Sequence, residues 1–343
     1  MSVELLGLVI LWTFLFGYLI VASIDFGAGF FSLYSHWTGT KHLVHHVIER
    51  YLSPVWEVTN VFLIFFIVGF VGFFPDAAAT YSSALLVPGS VATILLGIRG
   101  SYYAFQTYGG SDRPFYLTLY GLSGLFIPAS LATMLTLSEG NFIKTVNGAT
   151  QLDLVELFFS PYAWSVVNIA LVSVLYISAM FLTYYTARTG DQEALNVVRG
   201  WALMWSAPTI FASLFIFVTM RGHNRYHFEQ LLAHSWWFFI STICFIGAVW
   251  LVWKKRHFGW AFILVMAQYA FAFYGYGKSH LPYLLYPTIK YTDYFTSPVM
   301  ANALIIAFIL GLCVLIPSLY LLMRLFLFDA KYVQGNRSKG GDH

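Results

Sequence analysis

Charge is the scarcest property of this sequence. Its 343 residues include 18 Lys and Arg and 15 Asp and Glu, 10% of the chain, where a soluble domain carries roughly a quarter. So little polar surface cannot enclose a chain that is 59% hydrophobic, and the surplus apolar area must face lipid. Cysteine is nearly missing: Cys244 and Cys313 both lie in apolar segments and form neither a CxxC site nor a disulfide framework. They read as small packed side chains. Histidine avoids the middle of the apolar runs; all ten fall in loops, interfaces or the tail. A haem held between membrane helices would require axial His or Met there. Met134, Met180, Met204 and Met266 do lie within the runs, and as lone residues they read as packing. The His42/His45/His46 and His223/His227 groups lack acids or cysteines at ligand spacing, so no metal site is expected. There is no Walker A loop, no Rossmann glycine pattern and no Ser/His/Asp arrangement, and nothing that points to nucleic acid.

What the sequence has is length in apolar runs. Stretches of about 20 apolar residues predict nine transmembrane helices, near Leu5–Tyr34, Val58–Phe74, Ser82–Ile98, Phe115–Thr136, Tyr162–Thr186, Trp201–Met220, Trp236–Trp253, Phe258–Tyr276 and Val299–Phe328. Tyr and Trp are abundant, as suits a protein with two membrane–water interfaces. The expected fold is all-α and polytopic. Residues 1–328 form one integral membrane domain and 329–343 a cytoplasmic tail. The domain divides into a four-helix unit over about 1–138, a second over 161–276, and a ninth helix over 299–328. Arg50, Trp56, Phe62 and Phe66 recur as Arg199, Trp205, Phe211 and Phe215 at a constant offset, a weak internal repeat compatible with two parallel halves. Between the first two helices, Lys41–Leu52 carries Leu43, Val44, Val47, Ile48, Tyr51 and Leu52 at helical spacing. That pattern predicts a short amphipathic helix on the membrane surface.

Nine helices put thirteen of the 18 Lys and Arg on one side and five on the other. The positive-inside rule then places the C-terminus in the cytoplasm and the N-terminus outside. The first charge is the acidic Glu4, and the run after it lacks a small-residue cleavage site, so the first helix is expected to remain in the mature protein.

An ionisable group near the bilayer centre costs about 2.5–3.5 kcal/mol on insertion scales, so intramembrane acids are informative. Asp25 sits in YLIVASIDFGAGFF, and Gly27 and Gly29 behind it would let a neighbouring helix approach closely. It reads either as a protonatable relay or as a structural acid paired with Arg99. Glu57, in SPVWEVTNVFL, reads either as a further proton carrier or as a first-turn carboxylate favoured by the helix dipole with Ser53 as cap. Asn60 lies one helical turn on and is positioned to hydrogen-bond a carboxyl or water.

Three segments, ASIDFGAG at Ala22–Gly29, SPVWEVTNVFL at Ser53–Leu63 and IRG at Ile98–Gly100, together resemble subunit II of the cytochrome bd quinol oxidases. The family's Asp-x-Gly-x-Gly signature is matched by Asp25, Gly27 and Gly29. Its Trp–acid opening of the second helix is matched by Trp56 and Glu57, and its Arg at the end of the third by Arg99. The chain departs from many members at Ala22, where they carry a further Asp, and at Thr59-Asn60-Val61-Phe62. The resemblance implies a prokaryotic plasma-membrane subunit of a complex that oxidises quinol and reduces dioxygen to water. It implies haems b and d, and the quinol site, in a larger partner, subunit I; no cofactor and no catalytic centre in this chain; lipid contact; and in some members a small single-helix subunit. It also implies stabilisation of subunit I and a cytoplasmic proton route, with Asp25, Glu57 and Asn60 as candidates. A secondary transporter or channel, and a purely structural scaffold of the oxidase, are the alternative readings.

Overall fold

Apolar runs of this length can lie in hydrocarbon only if every backbone polar group is paired internally, and the chain is built almost wholly of helix. The computed structural model describes residues 2–109, 114–146, 149–293 and 295–324. In order, these form α1 (Val3–Trp37), α2 (Lys41–Phe73), α3 (Pro75–Ala84), α4 (Leu86–Gly109), α5 (Pro114–Ser138), β1 (Ile143–Val146), β2 (Ala149–Leu152), α6 (Leu154–Phe159), α7 (Pro161–Thr189), α8 (Gln192–His223), α9 (Arg225–Ala233), α10 (Ser235–Trp253), α11 (Phe258–His280), β3 (Tyr283–Leu285), β4 (Ile289–Lys290) and α12 (Pro298–Met323). Among the described residues, seven helices are long and apolar enough to cross a membrane, or eight if the bent α3–α4 pair counts as one span. The all-α expectation needs one amendment: two antiparallel hairpins, β1–β2 and β3–β4, occupy the connections after α5 and α11.

Helix ends follow local chemistry. Ser160 caps α7 ahead of Pro161, and Ser297 does the same for α12 ahead of Pro298; a proline at the first helical position loses no hydrogen bond. Asp191 accepts from the N–H groups of Glu193 and Ala194 to open α8. Gly190 closes α7 with φ 77°, the left-handed conformation that glycine adopts without strain. The α3–α4 pair turns by 80° at Leu85, three residues ahead of Pro88, which has no N–H to extend the helix ladder back across the turn.

Two expectations change. The third span was placed at Ser82–Ile98, ending before Arg99; α4 in fact runs on to Gly109, so Arg99 sits inside a helix. The surface helix over Lys41–Leu52 is not separate: it is the first part of α2, which passes Ser53 and Pro54 without a break. Ser53 therefore lies inside a helix and not at its start, and its side chain is outside the described residues. Of its apolar positions, Val44, Val47 and Ile48 are fully buried against protein in the largest core; the side chains of Tyr51 and Leu52 lie outside the described residues.

That core is centred on α7, whose Tyr176, Ile177, Ala179 and Leu182 have no exposed surface, and is completed by α1, α8, α10 and α11. α12 packs outside it, on Phe14, Phe66 and Phe73 of α1 and α2, through Phe308 and Ala301. The outward faces are apolar: Phe211, Val218, Phe239, Val299 and Val314 are all strongly exposed. A soluble protein inverts this pattern.

Candidate functional site

Two buried polar centres stand apart along the bundle. The first joins α1, α4 and α5. Asp25 and Arg99 are both fully buried. Arg99 Nε donates to Asp25 Oδ2 at 3.0 Å and Nη2 to Oδ1 at 3.1 Å, a two-pronged carboxylate contact. Nη2 also donates to the Asp25 carbonyl at 2.6 Å, and Nη1 to the Tyr120 carbonyl at 3.0 Å. The guanidinium carbon lies 4.0 Å from the Tyr120 ring centroid and 5.3 Å from that of Phe26, so its faces meet π-systems while its edge meets oxygen.

The glycines of the sequence signature explain how a guanidinium fits there. A Cβ on Gly29 would fall 2.9 Å from Arg99 Nη1 and 3.0 Å from the Tyr120 ring; the missing side chain is the space that Arg99 occupies. A Cβ on Gly27 would fall 2.4 Å from Ser178 Cβ and 2.7 Å from the Val174 carbonyl. Gly27 thus sets the close approach of α1 to α7, secured by Ser178 Oγ donating to the Ile24 carbonyl at 3.0 Å.

Of the residues singled out from sequence, Asp25, Gly27, Gly29 and Arg99 come together here. Asn60 is half-buried on α2 and makes no hydrogen bond to the pair among the described residues. The side chains of Trp56 and Glu57 lie outside the described residues. In the repeat, Phe66 is buried whereas its counterpart Phe215 is exposed, so these two positions serve different surroundings.

The second centre went unnoticed in the sequence. Glu139 follows α5 directly, nineteen positions beyond Tyr120, which at about 1.5 Å per residue puts it roughly 28 Å along the bundle from the first centre. Its carboxylate is fully buried. Oε1 lies 2.6 Å from His227 Nδ1, 3.3 Å from His280 Nδ1, and accepts from Tyr276 OH at 2.5 Å. Oε2 accepts from Asn224 Nδ2 at 2.9 Å. Burial alone would push the Glu139 carboxyl up, but the imidazoles of His280 and His227 outweigh it and hold the group below the usual carboxylate range. The grouping of His223 with His227 dissolves: His223 is stacked between Phe142 and Tyr162, with ring centroids 4.9 and 4.5 Å away.

Local signals for this centre did exist. Asn224 is the N-cap of α9, accepting from the His227 N–H at 3.0 Å, and Tyr276 and His280 are one turn apart on α11. What no local pattern discloses is that these turns meet a carboxylate from the end of α5.

Comparison with known proteins gives one consistent answer. The family described as cytochrome bd terminal oxidase subunit II matches residues 3–326. The "Putative cytochrome bd menaquinol oxidase subunit II" of Bacillus subtilis (strain 168) is 32% identical over 339 residues, covering 96% of this chain and 97% of that one. A chain in the structure of bd oxidase from Geobacillus thermodenitrificans is 59% identical, with a TM-score of 0.84, covering 96% of this chain and all of the other.

Proposed function

This chain belongs to the cytochrome bd terminal oxidase subunit II family and is a multi-pass protein of the prokaryotic plasma membrane, and we propose that it is the haem-free half of a quinol-oxidising, dioxygen-reducing complex. The observation that carries this reading is the set of Asp25, Gly27, Gly29 and Arg99, which the fold gathers into one buried polar node inside the membrane domain. Haem-free character is supported by histidine placement: every described histidine lies in the end turns of a helix or between helices, away from where an axial ligand would sit. Subunit I then carries haems b and d and the quinol site. The Bacillus relative's name points to menaquinol as the reductant.

Nine spans follow if the apolar stretch Thr59–Phe73 of α2 and the bent α3–α4 pair are added to the seven long helices. With the N-terminus outside, Asp25 and Arg99 lie towards the cytoplasm and Glu139 at the outer surface. The two four-helix units and the ninth helix remain the natural division of this bundle. Exposed apolar faces on α8, α10 and α12 provide surface for lipid, for subunit I and for a small single-helix subunit.

Two roles for the node are distinguishable. Its two-pronged, fully buried geometry favours Asp25 as the counter-ion of Arg99, tying α1 to α4 and α5 so that subunit I has a rigid partner. Its position favours a second role, as a station for protons drawn from the cytoplasm with Glu57 and Asn60 alongside. The transporter or channel reading has no such supporting feature.

Copurification tests the assignment. A tagged form of this chain should draw out a haem protein, and the chain expressed alone should show no Soret band. A stable, haem-loaded lone chain would overturn the proposal.

A further inference from the structure

The second polar centre has no part in the function proposed above. Glu139 arrives from the turn after α5, His227 from the first turn of α9 and His280 from the last turn of α11. One ligand atom from each lies within 4.8 Å of the others. The Glu139 and His227 side chains are at most 1% exposed and His280 is 13% exposed, so the cluster is enclosed yet reachable from one side.

Three groups approach a single oxygen here: His227 Nδ1 and the Tyr276 hydroxyl hydrogen-bond Glu139 Oε1, and His280 Nδ1 stands 3.3 Å from it. The two hydrogen bonds already fill the roughly two lone-pair sites of that atom, so His280 Nδ1 competes for an oxygen that is occupied. A cation resolves the conflict, because nitrogen and oxygen lone pairs can then converge on one centre. Neither imidazole has a hydrogen-bond partner at Nε2, so no second contact fixes Nδ1 as a donor. Two imidazoles and one carboxylate form a donor set used by zinc, with a fourth position left for water. Asn224 Nδ2 on Glu139 Oε2 supplies the kind of outer contact that orients a ligating carboxylate.

We propose that Glu139, His227 and His280 form a binding site for one divalent transition-metal ion of the zinc type, clamping α5, α9 and α11 together at the end of the bundle away from Asp25. Tetrahedral ligands at about 2.0–2.1 Å from zinc stand roughly 3.3 Å apart. The Glu139–His280 pair already has that spacing at 3.3 Å; the Glu139–His227 pair, at 2.6 Å, opens by roughly 0.7 Å as the shared proton departs and the ion enters.

The test uses the purified oxidase complex and Zn2+ alone, so its result does not depend on oxidase activity or on the role of Asp25. The complex is equilibrated with Zn2+, passed through metal-free buffer, and assayed for zinc per haem and for its zinc X-ray absorption. The expected result is one retained zinc with a nitrogen and oxygen shell including imidazole, and affinity weakened at least about tenfold by Glu139→Gln and by His280→Asn at unchanged haem content. His280 is partly exposed, so its replacement keeps the test open if the Glu139 variant fails to assemble. Zinc no higher than in a blank, a shell containing sulfur, or equal retention by wild type and His280→Asn would each overturn the proposal.

Discussion

Asp25→Asn is the sharpest perturbation available, because it preserves shape while removing the charge and turning one acceptor oxygen into an NH2 donor that faces Arg99. The carboxylate receives two bonds from Arg99, at 3.0 and 3.1 Å, while the bonds to the Asp25 and Tyr120 carbonyls do not depend on it. Hydrogen bonds to charged groups contribute about 1.5–3 kcal/mol each. Removing one partner of a buried ion pair costs about 3–5 kcal/mol. Both routes converge near ~4 kcal/mol, about three decades in an equilibrium constant. The assay is heat-induced loss of the assembled complex, followed by haem absorbance and gel filtration, alongside oxygen consumption and proton uptake. Asp25→Asn should lower the midpoint of complex loss markedly. The double change Asp25→Leu with Arg99→Met should recover part of that loss, since an apolar pair carries no desolvation penalty. A variant as stable as wild type would refute the counter-ion argument. If that stable variant also took up protons slowly, the proton-station role would stand in its place.

Other expectations concern packing and pH. Gly27→Ala should part α1 from α7, because its new methyl meets a backbone carbonyl that cannot move aside; overpacking of this kind costs about 1–3 kcal/mol, read as reduced yield of assembled complex. Ser178→Gly should rescue it only in part, since the Val174 carbonyl remains 2.7 Å from the added carbon. Gly29→Ala should act differently, displacing the Arg99 guanidinium and so mimicking loss of the Asp25 pair in a double-mutant cycle. Without metal, Glu139 has a folded pKa below its unfolded one, so its contribution is present above the ordinary carboxylate range and lost only as pH falls through the depressed value. The stability gap between wild type and Glu139→Gln, measured in chelator, should therefore persist on mild acidification; a gap that closes near neutral pH contradicts this assignment.

The bundle was legible because membrane helices announce themselves by composition. Misreadings arose where neighbours overruled local pattern. The segment Lys41–Leu52 has the amphipathic spacing of a surface helix, but Val44, Val47 and Ile48 found a protein core before a lipid surface. The third span, expected to end before Arg99, runs on to Gly109, and an acid on α1 pairs with the cation inside it.

From the sequence alone came the membrane class and the helical runs, because lipid imposes the same demand on every span, with the pairing of Asp25 and Arg99 as one of two readings of that acid. Only tertiary structure could decide which polar groups share a burial site. Glu139, His227 and His280 lie on separate segments, and their meeting depends on how α5, α9 and α11 pack. Helix formation is set by neighbours in sequence and by solvent, whereas the convergence of side chains from three helices is set by packing.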